Sequence, residues 1–224
     1  MSSAGGYISL SATRLEDVRG QAELDLRATF TGSLAVDQAA PSEFELTRAG
    51  RRYSLGFLAV TGIAPVQAIP TTAAQWFFYN AHASRSCAIG EIGAVLVSGT
   101  AAAGILVLAG LTGPGSNPAT IPTASTTVFG GQQNRALATA RGSLIVAASQ
   151  TLAAAPPNGW VTMAKSDSAA TGILSVAAIN YNVSGRMIIP PGGGLAINVT
   201  SGVGTTPLFA PHLTWSELDV QLDY

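Results

Sequence analysis

The stretch IGAVLVSGTAAAGILVLAGL, Ile92 to Leu111, runs for twenty residues without a charge. That is the length a helix needs to cross a bilayer, so the reading of this segment decides the fold. Its centre, SGTAAAG, is small and partly polar, and it splits the segment into two apolar runs, GAVLV and GILVLAGL. Similar short runs stand on both sides: SLGFLAV (54–60), QWFFYN (75–80), CAIGEIGAVLVS (87–98), SLIVAASQ (143–150), GWVTMA (159–164) and GILSVAAI (172–179). Short runs rich in Val, Ile, Leu, Thr and aromatics, bounded by Gly and Pro, are strands. The uncharged segment therefore reads as two buried strands joined by a Gly-rich turn, not as a membrane helix.

Working outward, the chain of 224 residues holds 25 glycines and 12 prolines and few helix signals. Alternation is clear in YISLSA (7–12), in the first half of LDLRATF (24–30) and in GLAINVTS (194–201), where Leu195, Ile197 and Val199 point inward. In TWSELDVQLDY (214–224), Trp215, Leu218, Val220 and Leu222 are expected in a core after one irregularity, with Glu217, Asp219 and Asp223 facing solvent or a partner. The pattern predicts an all-β fold, a jelly-roll-like β-sandwich with a small N-terminal β segment. The Ala-rich stretch 135–155 fits either a strand or a short helix. In SGRMIIPPGGG (184–194), Pro190-Pro191 ends a strand and the glycines turn into the next. TGPGSNPATIPTASTT (112–127) has the composition of a long flexible loop, which predicts that it tolerates shortening.

Charge is scarce and uneven. Charged residues are 10% of the chain, and the net charge is −1. Residues 1–52 hold six arginines (Arg14, Arg19, Arg27, Arg48, Arg51 and Arg52) and seven acids, whereas 53–164 holds only Arg85, Glu91, Arg135 and Arg141. This contrast divides the chain into an N-terminal segment, 1–52, and a body, 53–224. Arg48-Ala49-Gly50-Arg51 reads as a hairpin turn between them. The six arginines are candidate contacts to carboxylates of a partner; the local acids equally allow a solvated, self-paired face. A nucleic-acid-binding domain would carry a basic excess, and none is present. Weakly polar faces on so uncharged a chain point to cover by neighbouring subunits.

A search for chemistry finds little. The two histidines, His82 and His212, stand in no metal or catalytic motif, and neither a G-x-S-x-G elbow nor a Walker loop occurs. Cys87 is the only cysteine, which excludes an internal disulfide and reads as a small buried apolar residue. Acids do not cluster with metal-ligand spacing; Glu217 and Asp219 share a strand face and read as solvated. No metal or cofactor site is expected, and no enzyme activity. The N-terminus lacks the basic and apolar regions of a signal peptide, so the sequons at Asn182 and Asn198 read as chance. The run Trp76-Phe77-Phe78-Tyr79 is apolar on both faces of a strand. That implies burial in a core or subunit interface rather than a platform for stacking sugars or bases.

Two strings carry a resemblance: AVTGIAPVQAIPTTAAQWFFYNAHASRSCAIGEIGAVLVSGTAAAGILVL (59–108) and GRMIIPPGGGLAINVTSGVGTTPLFAPHLTWSELD (185–219). A PTTAAQ lead-in, an aromatic strand ending in Asn80, an SGT turn, a PPG turn and a closing W-x-E-L together resemble the head decoration, or cement, proteins of tailed bacteriophages. The likeness covers roughly the last three quarters of the chain and rests on strand and turn motifs. It implies a jelly-roll body, a homotrimer and binding to the major capsid protein on the exterior of a virion assembled in the host cytoplasm. It implies no catalytic residue and no membrane or nucleic-acid partner. The alternative that the residues allow is a jelly-roll domain of a head spike or fibre, with loops such as 112–127 recognising host glycan.

Overall fold

A computed structural model of the chain describes residues 27–28, 34–35, 46–56, 62–101, 103–123, 131–134, 142–167, 170–171, 179–201 and 207–219. The chain divides into two units, Met1–Pro41 and Ser42–Tyr224. In the first, β1 (Arg27–Ala28) and β2 (Leu34–Ala35) pair antiparallel. The division precedes the position expected near 52. Residues 46–51 already lead into the body through a helical turn instead of the expected hairpin turn. Arg51 N–H donates to Leu46 O at 2.9 Å and Gly50 N–H to Thr47 O at 3.0 Å, with Gly50 at φ 71°. This pair of bonds closes a helix end, and the left-handed residue it requires is the glycine.

The second unit is a sandwich of two antiparallel sheets. Its strands are β3 (Arg52–Gly56), β4 (Ala73–Asn80), β5 (Ser86–Ser98), β6 (Thr100–Ala101), β7 (Ile105–Thr112), β8 (Gly131–Asn134), β9 (Leu144–Thr151), β10 (Val161–Ser166), β11 (Ala170–Thr171), β12 (Ile179–Asn182), β13 (Ile188–Ile189), β14 (Gly194–Thr200) and β15 (Leu208–Leu218). One sheet has the order β12-β5-β15-β3-β8, with β13 also on β5; the other has β10-β7-β14-β4-β9. The short pair β6 and β11 stands apart.

Take the eight strands β3, β4, β5, β7, β10, β12, β14 and β15 in chain order. The first, eighth, third and sixth are neighbours in one sheet, and the second, seventh, fourth and fifth in the other. That is the wrapped double Greek key of a jelly roll. β8 and β9 lie between β7 and β10 in sequence and add one outer strand to each sheet, beside β3 and beside β4. The uncharged segment forms the end of β5 and all of β7, as two strands joined through Gly99 and Gly104, both at positive φ. Among the described residues no helix is long and apolar enough to span a membrane.

Between the sheets lies the main core. Trp76 and Phe78 of β4 and Leu195, Ile197 and Val199 of β14 meet Ile89, Ile92 and Leu96 of β5 and Phe209, Leu213 and Trp215 of β15. Tyr53 stacks on Trp215 with ring centroids 5.6 Å apart. Phe77 faces the other way, into a small second cluster with Leu152, Ala196 and Trp160. The segment after β9 folds back over the sheet to make this cluster. A Cβ on Gly110 would stand 2.6 Å from Pro156 Cγ, so only glycine allows so close an approach. Both faces of β4 are thus covered within one chain, with Tyr79 packed at the margin. Of the stretch 135–155, residues 144–151 form β9 and 135–141 lie outside the described residues, as do 7–12 and 220–224.

Candidate functional site

The densest polar assembly is at one end of the sandwich, and Asn80 is its centre. This last residue of β4 is fully buried. Its Nδ2 donates to Arg85 O at 2.8 Å and Ile189 O at 3.0 Å, and its Oδ1 accepts from His82 N–H at 3.1 Å. Its backbone pairs with the turn that follows β13: Asn80 N–H donates to Gly193 O, and Gly192 N–H to Asn80 O. That turn, Pro190-Pro191-Gly192-Gly193, has proline at its second position, Gly192 at φ 72° at its third, and a closing bond from Gly193 N–H to Pro190 O. These are the requirements of a type II turn. His82 acts as a loop brace, its Nδ1 accepting from Ser84 and Arg85 N–H at 3.1 and 2.9 Å.

Glu217 closes the same end from β15. It was expected in solvent, yet its side chain is only 3% exposed. Strict alternation carries Phe209, Leu213, Trp215 and then Glu217 inward, which leaves Leu218 half-buried instead of in the core. The carboxylate is tolerated because it is answered: Ser143 N–H and Ser143 Oγ–H donate to Oε1 at 2.5 and 2.8 Å. Cys87 Sγ lies 3.7 Å from Ser143 Oγ, and burial pushes its thiol up to about 12, with the Ser143 bond opposing. A thiol so protonated is no nucleophile at neutral pH. Ser143 donates to the Glu217 carboxylate, so this cluster ties the end of β15 to the residue that precedes β9.

Above the buried cluster is an exposed charge pair. Asp219 Oδ2 meets Arg51 Nη1 at 3.0 Å and Oδ1 meets Arg85 Nε at 2.9 Å. The Arg85 hydrogen bond, with the charge of Arg51 behind it, holds the Asp219 carboxyl below its ordinary range, and Asp219 holds Arg85 up. On the outer face of the β5 sheet, His212 Nε2 meets Glu91 Oε2 at 3.0 Å.

The residues singled out in the sequence separate. Arg14 and Arg19 lie outside the described residues, and Arg27 is placed on β1 with its side chain outside them. Arg48 is exposed, Arg51 joins Asp219, and Arg52 reaches across β15 to β5, its Nη2 3.3 Å from where a Cβ on Gly90 would stand. Trp76, Phe77 and Phe78 are completely buried in the single chain, and Tyr79 is half-buried. Among the described residues no three His, Cys, Asp or Glu side chains group as a metal site. Asn80 enters the sequence reading only as the end of the aromatic strand, and the part that Arg85 and Ser143 take in this polar cluster was not read from sequence. The signal available for Asn80 was its position at the end of an apolar strand ahead of a polar loop. No protein-family model, curated protein or solved structure matches this chain.

Proposed function

We propose that this chain is a virion structural protein, a capsid decoration or cement subunit that binds and stabilises an assembled phage head and performs no chemical step. The observation that carries the reading is the pairing of low charge with internally consumed polarity. Charged residues are 10% of the chain, and the polar cluster around Asn80 and Glu217 is spent on bonds within the frame. A surface so poor in charge is suited to cover by other subunits. The resemblance of 59–108 and 185–219 to phage decoration proteins points the same way; those stretches supply the aromatic strand, the PPG turn and the closing W-x-E-L. In this role the protein acts by mass action, since a partner that binds only the assembled shell raises its stability.

The natural test is mass spectrometry of purified particles of the phage that encodes the chain, with copies counted against the major capsid protein. Hundreds of copies per particle support decoration. A dozen or fewer would point to a spike or fibre that reads host glycan, and none would overturn a virion role.

A further inference from the structure

We infer that Arg51 and Arg85 form a clamp for a carboxylate of an acidic protein segment, held shut in this structure by the chain's own Asp219. The two guanidinium groups take one oxygen each of the Asp219 carboxylate, at 3.0 and 2.9 Å. All three side chains are open to solvent, at 38%, 36% and 54% exposure.

The two sides of the clamp differ from what fills it. Arg85 sits on a loop whose backbone is tied at both ends, Arg85 N–H to His82 Nδ1 and Asn80 Nδ2 to Arg85 O. Arg51 is tied by its own N–H to Leu46 O, and its carbonyl accepts from Glu217 N–H. Asp219 stands one residue past the last ladder position of β15, Leu218, so a small backbone swing withdraws it. Fixed donors with a displaceable acceptor are the arrangement of a site occupied in cis.

The chemistry favours a carboxylate over a phosphate. The pair offers one N–H to each oxygen of a planar group, a spacing that Asp219 itself demonstrates. The negative charge of Glu217 acts on Arg85 from behind, which discourages a second negative charge in the clamp. The chain as a whole is at −1, so it does not draw polyanions by long-range attraction. Sequence reading named Arg51 as a candidate contact to partner carboxylates, with a self-paired face as the equal alternative; the fold adds Arg85, distant in sequence, and the residue that competes with the partner. The inference rests on the docking role proposed above for the identity of the partner, and its chemistry is tested apart from it.

The test is fluorescence anisotropy of the full-length protein with a labelled oligoglutamate peptide. Asp219→Asn is expected to tighten binding about threefold, the size of one exposed ion pair. Arg51→Ala with Arg85→Ala is expected to weaken it about tenfold, as for loss of charge-assisted hydrogen bonds. An Asp219→Asn protein with unchanged affinity would overturn the clamp, as would a double arginine variant that binds like the parent. So would an oligonucleotide that displaces the peptide at lower concentration than free peptide does. Asp219 is 54% exposed, so its variant keeps the test decidable should the arginine pair prove necessary for folding. If the peptide arms behave as expected but Asp219→Asn does not tighten capture by purified phage heads, the clamp stands and the shell is not its partner.

Discussion

Asn80 uses every hydrogen-bonding group it has, and it is itself fully buried. Asn80→Ala strands two carbonyls and an N–H at a buried strand end. At about 1–3 kcal/mol for each unsatisfied buried group, partly relieved by relaxation, the expected loss is about 3 kcal/mol, readable as a lower denaturant midpoint with unchanged slope. Cys87 makes a different kind of prediction. Its thiol is pushed up to about 12 in the folded chain from a reference of 9.0. A raised folded value means that the stability is fully present below the unfolded value and is lost as pH climbs from there toward the folded one. The slope is about 1.4 kcal/mol per unit, so pH 10.5 costs about 2 kcal/mol. Cys87→Ala is expected to flatten that part of the alkaline limb relative to the parent, and native Cys87 is expected to resist thiol reagents at pH 8 until the protein unfolds. Burial of this cysteine was legible from its apolar strand. The burial of Glu217 was not, because a lone acid on a strand reads as an outward residue until its partner is known. That partner, Ser143, is 74 residues away.

The β5 and β15 pair shows how elements decide what residues cannot. Cys87 and Ile89 point inward at odd positions, and Ile92, Ala94 and Leu96 at even ones. The phase changes because Trp215 pairs with Ile89 but Thr214 pairs with Glu91, which leaves Gly90 as the extra residue of a bulge. Thr214 Oγ1 accepts from Glu91 N–H at 2.9 Å and so fills the gap in the ladder. Strands, turns and the buried aromatic run could be read from composition and period. The bulge could not, since it depends on which strand lies alongside, and a slip of one residue reverses every side chain. With β15 central in its sheet and Trp215 fully buried against Tyr53, Trp215→Ala is expected to cost about 3–5 kcal/mol, and deletion of 214–224 to abolish cooperative melting. The loop at 112–127 needs a correction at its start. Ser116 and Asn117 are buried, Asn117 Nδ2 donates to Gly192 O at 2.9 Å, and Ala153 N–H donates to Asn117 O at 3.1 Å. Asn117→Ala is therefore expected to lower stability by about 1–2 kcal/mol, so tolerance to shortening does not extend to 116–118.

At the scale of the molecule, of the two places the sequence allowed for the aromatic run, a core or a subunit interface, the fold uses the core. Phe77, the outward-facing member of the aromatic run, is covered by Leu152 and Trp160 of its own chain. That removes the aromatic strand as a reason for self-association and leaves the argument to the rest of the surface. Large exposed apolar side chains among the described residues are only Ile69, Val161 and Tyr181. An interface on the described part of this body would rest mostly on small and weakly polar groups, with little charge to desolvate. Identical subunits associate most often with closed symmetry, and the resemblance to phage decoration proteins favours three. The expected solution species is a trimer, three times the 22.7 kDa chain mass, by light scattering at micromolar concentration. Because charged residues are only 10% of the chain, its mass is expected to hold when salt is raised from low to molar ionic strength, where charge-held contacts are screened. A monomer at every salt concentration, with no particle present, would rule out the trimer. A trimer that falls apart as salt rises would instead shift the association to charged groups such as the arginines of 1–52.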